Sequence, residues 1–161
     1  MHTEQQAKKE ILASDWSVKG VKFMKGHDAD SMECSLYYKG KRVATVWDDS
    51  WGGGFQYTPV KGQQKTVELF NKFAHQFTVP SEYFDKGTTY NVDIVVDILV
   101  NHFEEEKQIK RWCKTKTIFT LKGDEKGSYR SFNNKFNDKL FDHITNKYGD
   151  QLGEILNMRY V

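Results

Sequence analysis

Asp48 and Asp49 stand side by side ahead of Gly52-Gly53-Gly54, with Trp47 and Trp51 flanking them and Phe55 following. Adjacent carboxylates beside glycines can hold a hard cation through oxygen, or mark a place where a ligand meets bare backbone. The same residues also build an ordinary wide turn, with aspartates bonding to nearby amides and glycines absorbing unusual dihedrals. No calcium-loop pattern follows, and no GxxxxGK[ST] is present. The turn accounts for the residues with the fewest assumptions; a ligand contact through Trp47, Asp48, Asp49, Trp51, Gly53 and Phe55 is the sharper alternative. Large aromatics serve equally in core packing and in binding surfaces.

A second chemistry-bearing stretch runs from Lys107 to Arg130. It holds eight basic residues against Asp124 and Glu125, a net +6 that leaves −4 for the remainder of a chain of formal charge +2. Trp112, Phe119 and Tyr129 are interleaved with the cations. Arg111, Trp112, Lys114, Lys116, Tyr129 and Arg130 therefore compose a surface able to neutralise phosphate and stack on a base. A lysine-rich rim that keeps a hairpin soluble and blunts its edge explains the same composition. No RNP-like or helix-turn-helix pattern accompanies it.

Nucleophilic catalysis finds little support. The five histidines are scattered, Cys34 alternates with Leu36 on a core-like face, and Cys113 follows Arg111 and precedes Lys114, cations able to lower a thiol pKa. His102 with Glu106, and Asp93 with Asp97, are spaced four apart on one helix. Neither pair carries a second histidine at ligand spacing, so both read as solvated helix polar faces. No catalytic set, metal site or cofactor is expected.

The elements that must position these residues follow from periodicity. Residues 3–14 read as a helix capped by Thr3, or as a helical arm, since its apolar stripe is thin. Trp16–Lys25 reads as a strand, with Val21 and Phe23 sharing a face and a turn at Gly26–Asp30. In Glu33–Thr58 the apolar residues recur with period two, Cys34-Leu36-Tyr38 and then Val43-Thr45-Trp47, around a glycine hairpin turn at Lys39-Gly40-Lys41. Pro59 closes the third run. Gln63–Phe77 has a helical stripe, stopped by Val79-Pro80-Ser81, and 82–89 reads as loop. Asn91 caps a long helix to Trp112, with Val92, Val95, Val96, Leu99, Val100 and Phe103 on its apolar face. Lys116–Lys122 and Ser128–Phe132 form a hairpin, Asn134 or Asn137 caps a helix ending at Gly149, and Gln151–Asn157 reads as a last short helix. The result is an α+β fold: an N-terminal antiparallel β-meander, helices, a second short β-hairpin and C-terminal helices, in one domain over 1–161.

Composition sets the outer bounds. Of 161 residues, 38% are hydrophobic and 29% charged, a globular balance long enough for a real core. There is no secretory h-region, no span of about 20 apolar residues and no disulfide framework. Cytoplasmic residence without membrane association is expected. Monomer and homo-oligomer both remain open, because helix aromatics such as Phe70, Phe73 and Phe77 could bury within one chain or between two.

Two stretches, KGHDADSMECSLYYKGKRVATVWDDSWGGGF and KTIFTLKGDEKGSYRSF with KYGDQLGEILN, together resemble small proteins encoded by bacteriophages and prophages. The resemblance covers both ends of the chain and carries no catalytic residues. It implies an accessory protein acting in the host cytoplasm on host defence or metabolism. The expectation is a non-enzymatic binder that inhibits host defence by sequestering a nucleotide-type ligand or blocking a host protein. Its surface would combine the 47–55 loop with the basic stretch 111–130. A nucleic-acid binder using 107–130 is the alternative, and a metal-dependent hydrolase at Asp48 and Asp49 the least supported.

Overall fold

The computed structural model describes residues 1–25, 31–48 and 53–161. Asp49, Trp51 and the Gly26–Asp30 turn lie outside the described residues. By its contacts the chain, which reads as one domain in sequence, falls into two compact units, Met1–Glu104 and Glu105–Val161. Each is described by itself.

The first unit is a four-stranded antiparallel meander carrying helices on one face. Its elements are α1 (Glu4–Leu12), β1 (Trp16–Met24), β2 (Ser31–Tyr38), β3 (Lys41–Asp48), β4 (Gln56–Pro59), α2 (Gln64–Ala74) and the start of α3 (Val92–Trp112), with strand order β1-β2-β3-β4. Lys39 (φ 50°) and Gly40 (φ 78°) both take positive φ between β2 and β3. That is the two-residue turn whose twist matches the flanking strands. Thr3 caps α1 through a reciprocal box with Gln6, and Ala7 and Ile11 are fully buried. The alternative of a free N-terminal arm is thereby corrected: two fully covered side chains are enough to anchor a short helix.

Bulges shift the alternation that the sequence suggests. Leu36 pairs with Ala44 and Tyr37 with Arg42, so Val43 is an extra residue in β3. Past it the core positions are Ala44 and Val46, and Trp47 turns to the other face at 39% exposure. A second bulge lies between Lys19 and Lys22 in β1, where Gly20 has φ 63°. Val21 is buried as expected, but Phe23 is 56% exposed, because it lies near the end of an edge strand. Trp16, Phe70, Phe73 and Phe77 form an aromatic row over the sheet, with Trp16 and Phe70 centroids 4.7 Å apart and Phe73 edge-on to Phe77 at 5.2 Å. Within the described chain these rings are covered by their own unit. Helix α2 ends at Ala74, well before Pro80. The stretch expected to be loop holds a short two-stranded sheet, β5 (Thr78–Val79) with β6 (Thr88–Thr89).

In the second unit a three-stranded sheet, order β8-β7-β9, is built from β7 (Thr117–Leu121), β8 (Arg130–Phe132) and β9 (Leu152–Ile155). Successive residues of the central strand point to opposite faces. Ile118 packs with Ile109 and Leu156 on one side, and Phe119 with Ile144 and Ile155 on the other. Ile144 comes from α4 (Asp138–Tyr148), whose cap is Asn137, with Leu140 N–H donating to Asn137 Oδ1 at 2.9 Å. The expected last helix is a correction: Leu152–Ile155 pairs with β7, between two short 3₁₀ turns at Gly149–Gln151 and Leu156–Tyr160. Leu152, Ile155 and Leu156 are spaced as on a helix face, but Gly153 lets the strand close on β7. A Cβ there would lie 2.7 Å from Thr120 Oγ1.

Asn157, 5% exposed, locks this unit. Its Oδ1 accepts Ile118 N–H at 2.8 Å, and its Nδ2 donates to the carbonyls of Lys116 at 2.9 Å and Cys113 at 3.5 Å. Replacing it with alanine strands the buried Ile118 amide and the half-buried Lys116 carbonyl. Asn157→Ala should therefore cost about 2–3 kcal/mol in urea denaturation.

Candidate functional site

In the first unit the acidic loop is only partly within view. Asp48 closes β3 and is half-buried, and Gly53 is exposed. Helix α3 enters the picture through Asp93, read in sequence as part of a solvated polar face. That reading is corrected. Asp93 Oδ1 accepts the Tyr57 hydroxyl at 2.7 Å and Oδ2 accepts Phe55 N–H at 3.2 Å, so this carboxylate pins β4 to the helix. Gly54 is required beside it, since a Cβ there would sit 2.8 Å from Asp93 Oδ2. Burial, the Asp93 bond and neighbouring acids push the Tyr57 hydroxyl far above its usual range. Asp97 is raised by burial first, then by the charges of Asp93 and Asp48. Further along the same face, Glu104 Oε1 is buried with no hydrogen-bond partner among the described residues. No group of three or more His, Cys, Asp or Glu able to hold a metal occurs among the described residues. Phe55 and Asp93 are thus explained by packing and hydrogen bonding, and Trp47 lies on the outer sheet face opposite Glu33 and Gln56.

The second unit offers a formed groove. One hollow of about 310 Å³ is lined by Trp112, Lys116, Ile118, Gly127, Tyr129 and Ser131. An adjoining one of about 320 Å³ shares Trp112, Gly127 and Tyr129, and adds Glu105, Gln108 and Ile109. Trp112 and Tyr129 meet edge to face, centroids 6.4 Å apart, and both pack partly on the Ile109–Ile118–Leu156 cluster. The Tyr129 hydroxyl donates to Glu105 Oε1 at 2.5 Å. Burial and that bond push its pKa up to about 12, so the phenol stays protonated at neutral pH. Cys113, beside the groove, is raised by burial against a weaker lowering by Arg159, which makes it a poor nucleophile.

The basic stretch divides by role. Lys107, Lys110, Arg111 and Lys114 are all exposed; Lys110 and Arg111 stand in the last turn of α3, where cations offset the negative end of the helix dipole. Arg111 also donates to Gln108 Oε1. Arg130 is committed to Asp124 by two bonds of 3.1 Å, and Asp124 accepts Leu121 N–H at 2.9 Å. This clasp closes the hairpin between β7 and β8. Of the sequence-derived residues, the groove gathers Trp112, Lys116 and Tyr129. It adds Glu105, Gln108, Ile109, Ile118, Gly127 and Ser131, which the charge count missed. Glu105, Gln108, Ile109 and Trp112 recur at three, four and seven, the one signal that could have found that wall. The two halves of the surface expected over 47–55 and 111–130 belong to different units.

No known protein family, curated protein or solved structure matches this chain.

Asp124 is held below the usual carboxylate range by the Arg130 side chain and the Leu121 amide. A depressed folded pKa stabilises above the ordinary value of about 4 and loses that contribution as pH falls through the folded value. Amide signals of β8 should therefore shift on acidification below about pH 4, and Asp124→Asn should abolish that titration.

Proposed function

We propose that the protein is an accessory binding protein of the phage type, and that it acts by taking a nucleotide-type ligand into the groove of the second unit. The observation that carries this reading is the convergence of Trp112, Tyr129, Lys116, Ser131 and Gly127 on one open concavity. Each supplies a contact such a ligand needs. The rings offer faces and edges to a base, Lys116 neutralises phosphate, and Ser131 and the Gly127 backbone approach closely without a bulky side chain. The hollows lie at the small end of ligand pockets, which suits a mononucleotide better than a large cofactor. The phage origin and the action on host defence rest on the sequence resemblance alone.

A protein partner is the second reading, favoured by one observation. Tyr83 and Phe84 are 86% and 63% exposed at the tip of the loop between β5 and β6. The tip is held rather than loose: Tyr83 N–H donates to Ser81 Oγ at 3.1 Å and Gly87 N–H to the Phe84 carbonyl at 2.9 Å. Two exposed rings on an ordered loop are the form of an interface anchor.

Native mass spectrometry of protein purified from the cells that naturally make it should retain a nucleotide-sized mass. Lys116→Ala should weaken mononucleotide binding about five- to tenfold in calorimetry, the worth of one partly solvated charge-assisted contact. A clean mass with unaltered Lys116→Ala behaviour would move the weight to the protein partner. In that case the Tyr83→Ser, Phe84→Ser double variant should stay folded and lose the partner that the native chain captures.

A further inference from the structure

The groove is not symmetric. Its shared centre is Trp112, Gly127 and Tyr129; the remaining lining differs in charge from one hollow to the other. One hollow has Lys116 and Ser131, from the chain just beyond α3 and from β8. The other has Glu105 and Gln108, on the turns of α3 that precede Trp112. Seven residues separate Glu105 from Trp112, about 10 Å along a helix axis. A cation and a carboxylate therefore stand at different ends of one aromatic-walled groove. Glu105 is exposed, and it accepts the Tyr129 hydroxyl through Oε1, which fixes the carboxylate and leaves Oε2 to accept from a ligand.

We propose that this polarity selects the base: the phosphate lies at Lys116 and Ser131, and an exocyclic amino group of the base donates to Glu105. The inference rests on the groove reading above. An ionised carboxylate accepts hydrogen bonds and cannot donate them. A base that presents an amino group toward it gains a charge-assisted bond, and one that presents a carbonyl oxygen meets an acceptor. Cytosine and adenine present the amino group where uracil and hypoxanthine present a carbonyl. The ligand class is thus an amino-bearing nucleoside monophosphate, bound with its anionic end toward β8.

Calorimetric titration of the full chain with two pairs, CMP against UMP and AMP against IMP, tests this, because each pair exchanges an amino group for a carbonyl at the same ring position. The amino member of each pair should bind about tenfold tighter, the discrimination a site gains when the wrong partner leaves an acceptor unpaired. Glu105→Gln, whose amide can donate as well as accept, should bring the members of each pair to within about twofold. Lys116→Ala should weaken all four ligands alike. Equal binding of all four by the native chain, or a preference for UMP and IMP, would overturn the polarity while leaving the groove as a nucleotide site. Binding of none would overturn both.

Discussion

The arrangement of the second unit depends on the three hydrogen bonds of the buried Asn157 side chain. The carboxamide of Asn or Gln is the only uncharged side-chain group with an acceptor and a two-hydrogen donor on one plane. Here it caps the carbonyls left open where α3 gives way to β7 and satisfies the amide of Ile118. The chain reversal from Cys113 to Ile118 is thereby fixed from the C-terminal side. Trp112, Lys116 and Ile118, all groove residues, sit on or beside that reversal. The C-terminal 3₁₀ turn also brings Arg159, which bonds Glu154 at 2.7 Å and Glu106 at 2.9 Å. A segment that looks peripheral in sequence therefore sets the geometry of the site.

Asp93 performs the comparable task in the first unit. It holds Phe55 N–H and the Tyr57 hydroxyl, so the edge strand β4, with Pro59 at its end, is tied to α3 through a carboxylate as well as through its ladder to β3. The charge count along 107–130 loses much of its force once its cations are seen to differ in role. Lys110 and Arg111 offset a helix end, Arg130 clasps a hairpin, and Lys116 lines the groove. What distinguishes the site is the position of a single lysine relative to two rings and a carboxylate.

The α+β class, the hairpin at Lys39-Gly40, the helix caps Thr3, Asn91 and Asn137, and the β7–β8 hairpin were legible because each rests on local chemistry. A turn needing positive φ calls for glycine, and a free helix amide calls for a short polar side chain. The misreadings come from longer-range constraints. Nothing local to Val43 announces a bulge, so the outward turn of Trp47 could not be read from alternation. Leu152, Ile155 and Leu156 carry a helical spacing, but their strand depends on a partner more than thirty residues away. Asp93 looked solvated because its acceptors' partners, Phe55 and Tyr57, lie far back in the chain. The groove suffered most, since its walls come from α3, β7, β8 and the turn at Gly127.

The most direct test of the central claim uses the tryptophan indoles as reporters. Each of the four Trp indoles contributes one Nε1–H signal to a nitrogen-correlated proton spectrum, and AMP can be titrated into labelled full-length protein. The account predicts that the Trp112 indole and the amides of Lys116, Gly127 and Ser131 shift together, saturably, while Trp47 stays in place. Shifts confined to Trp47 and Gly53–Phe55, or no shifts at all, would contradict it.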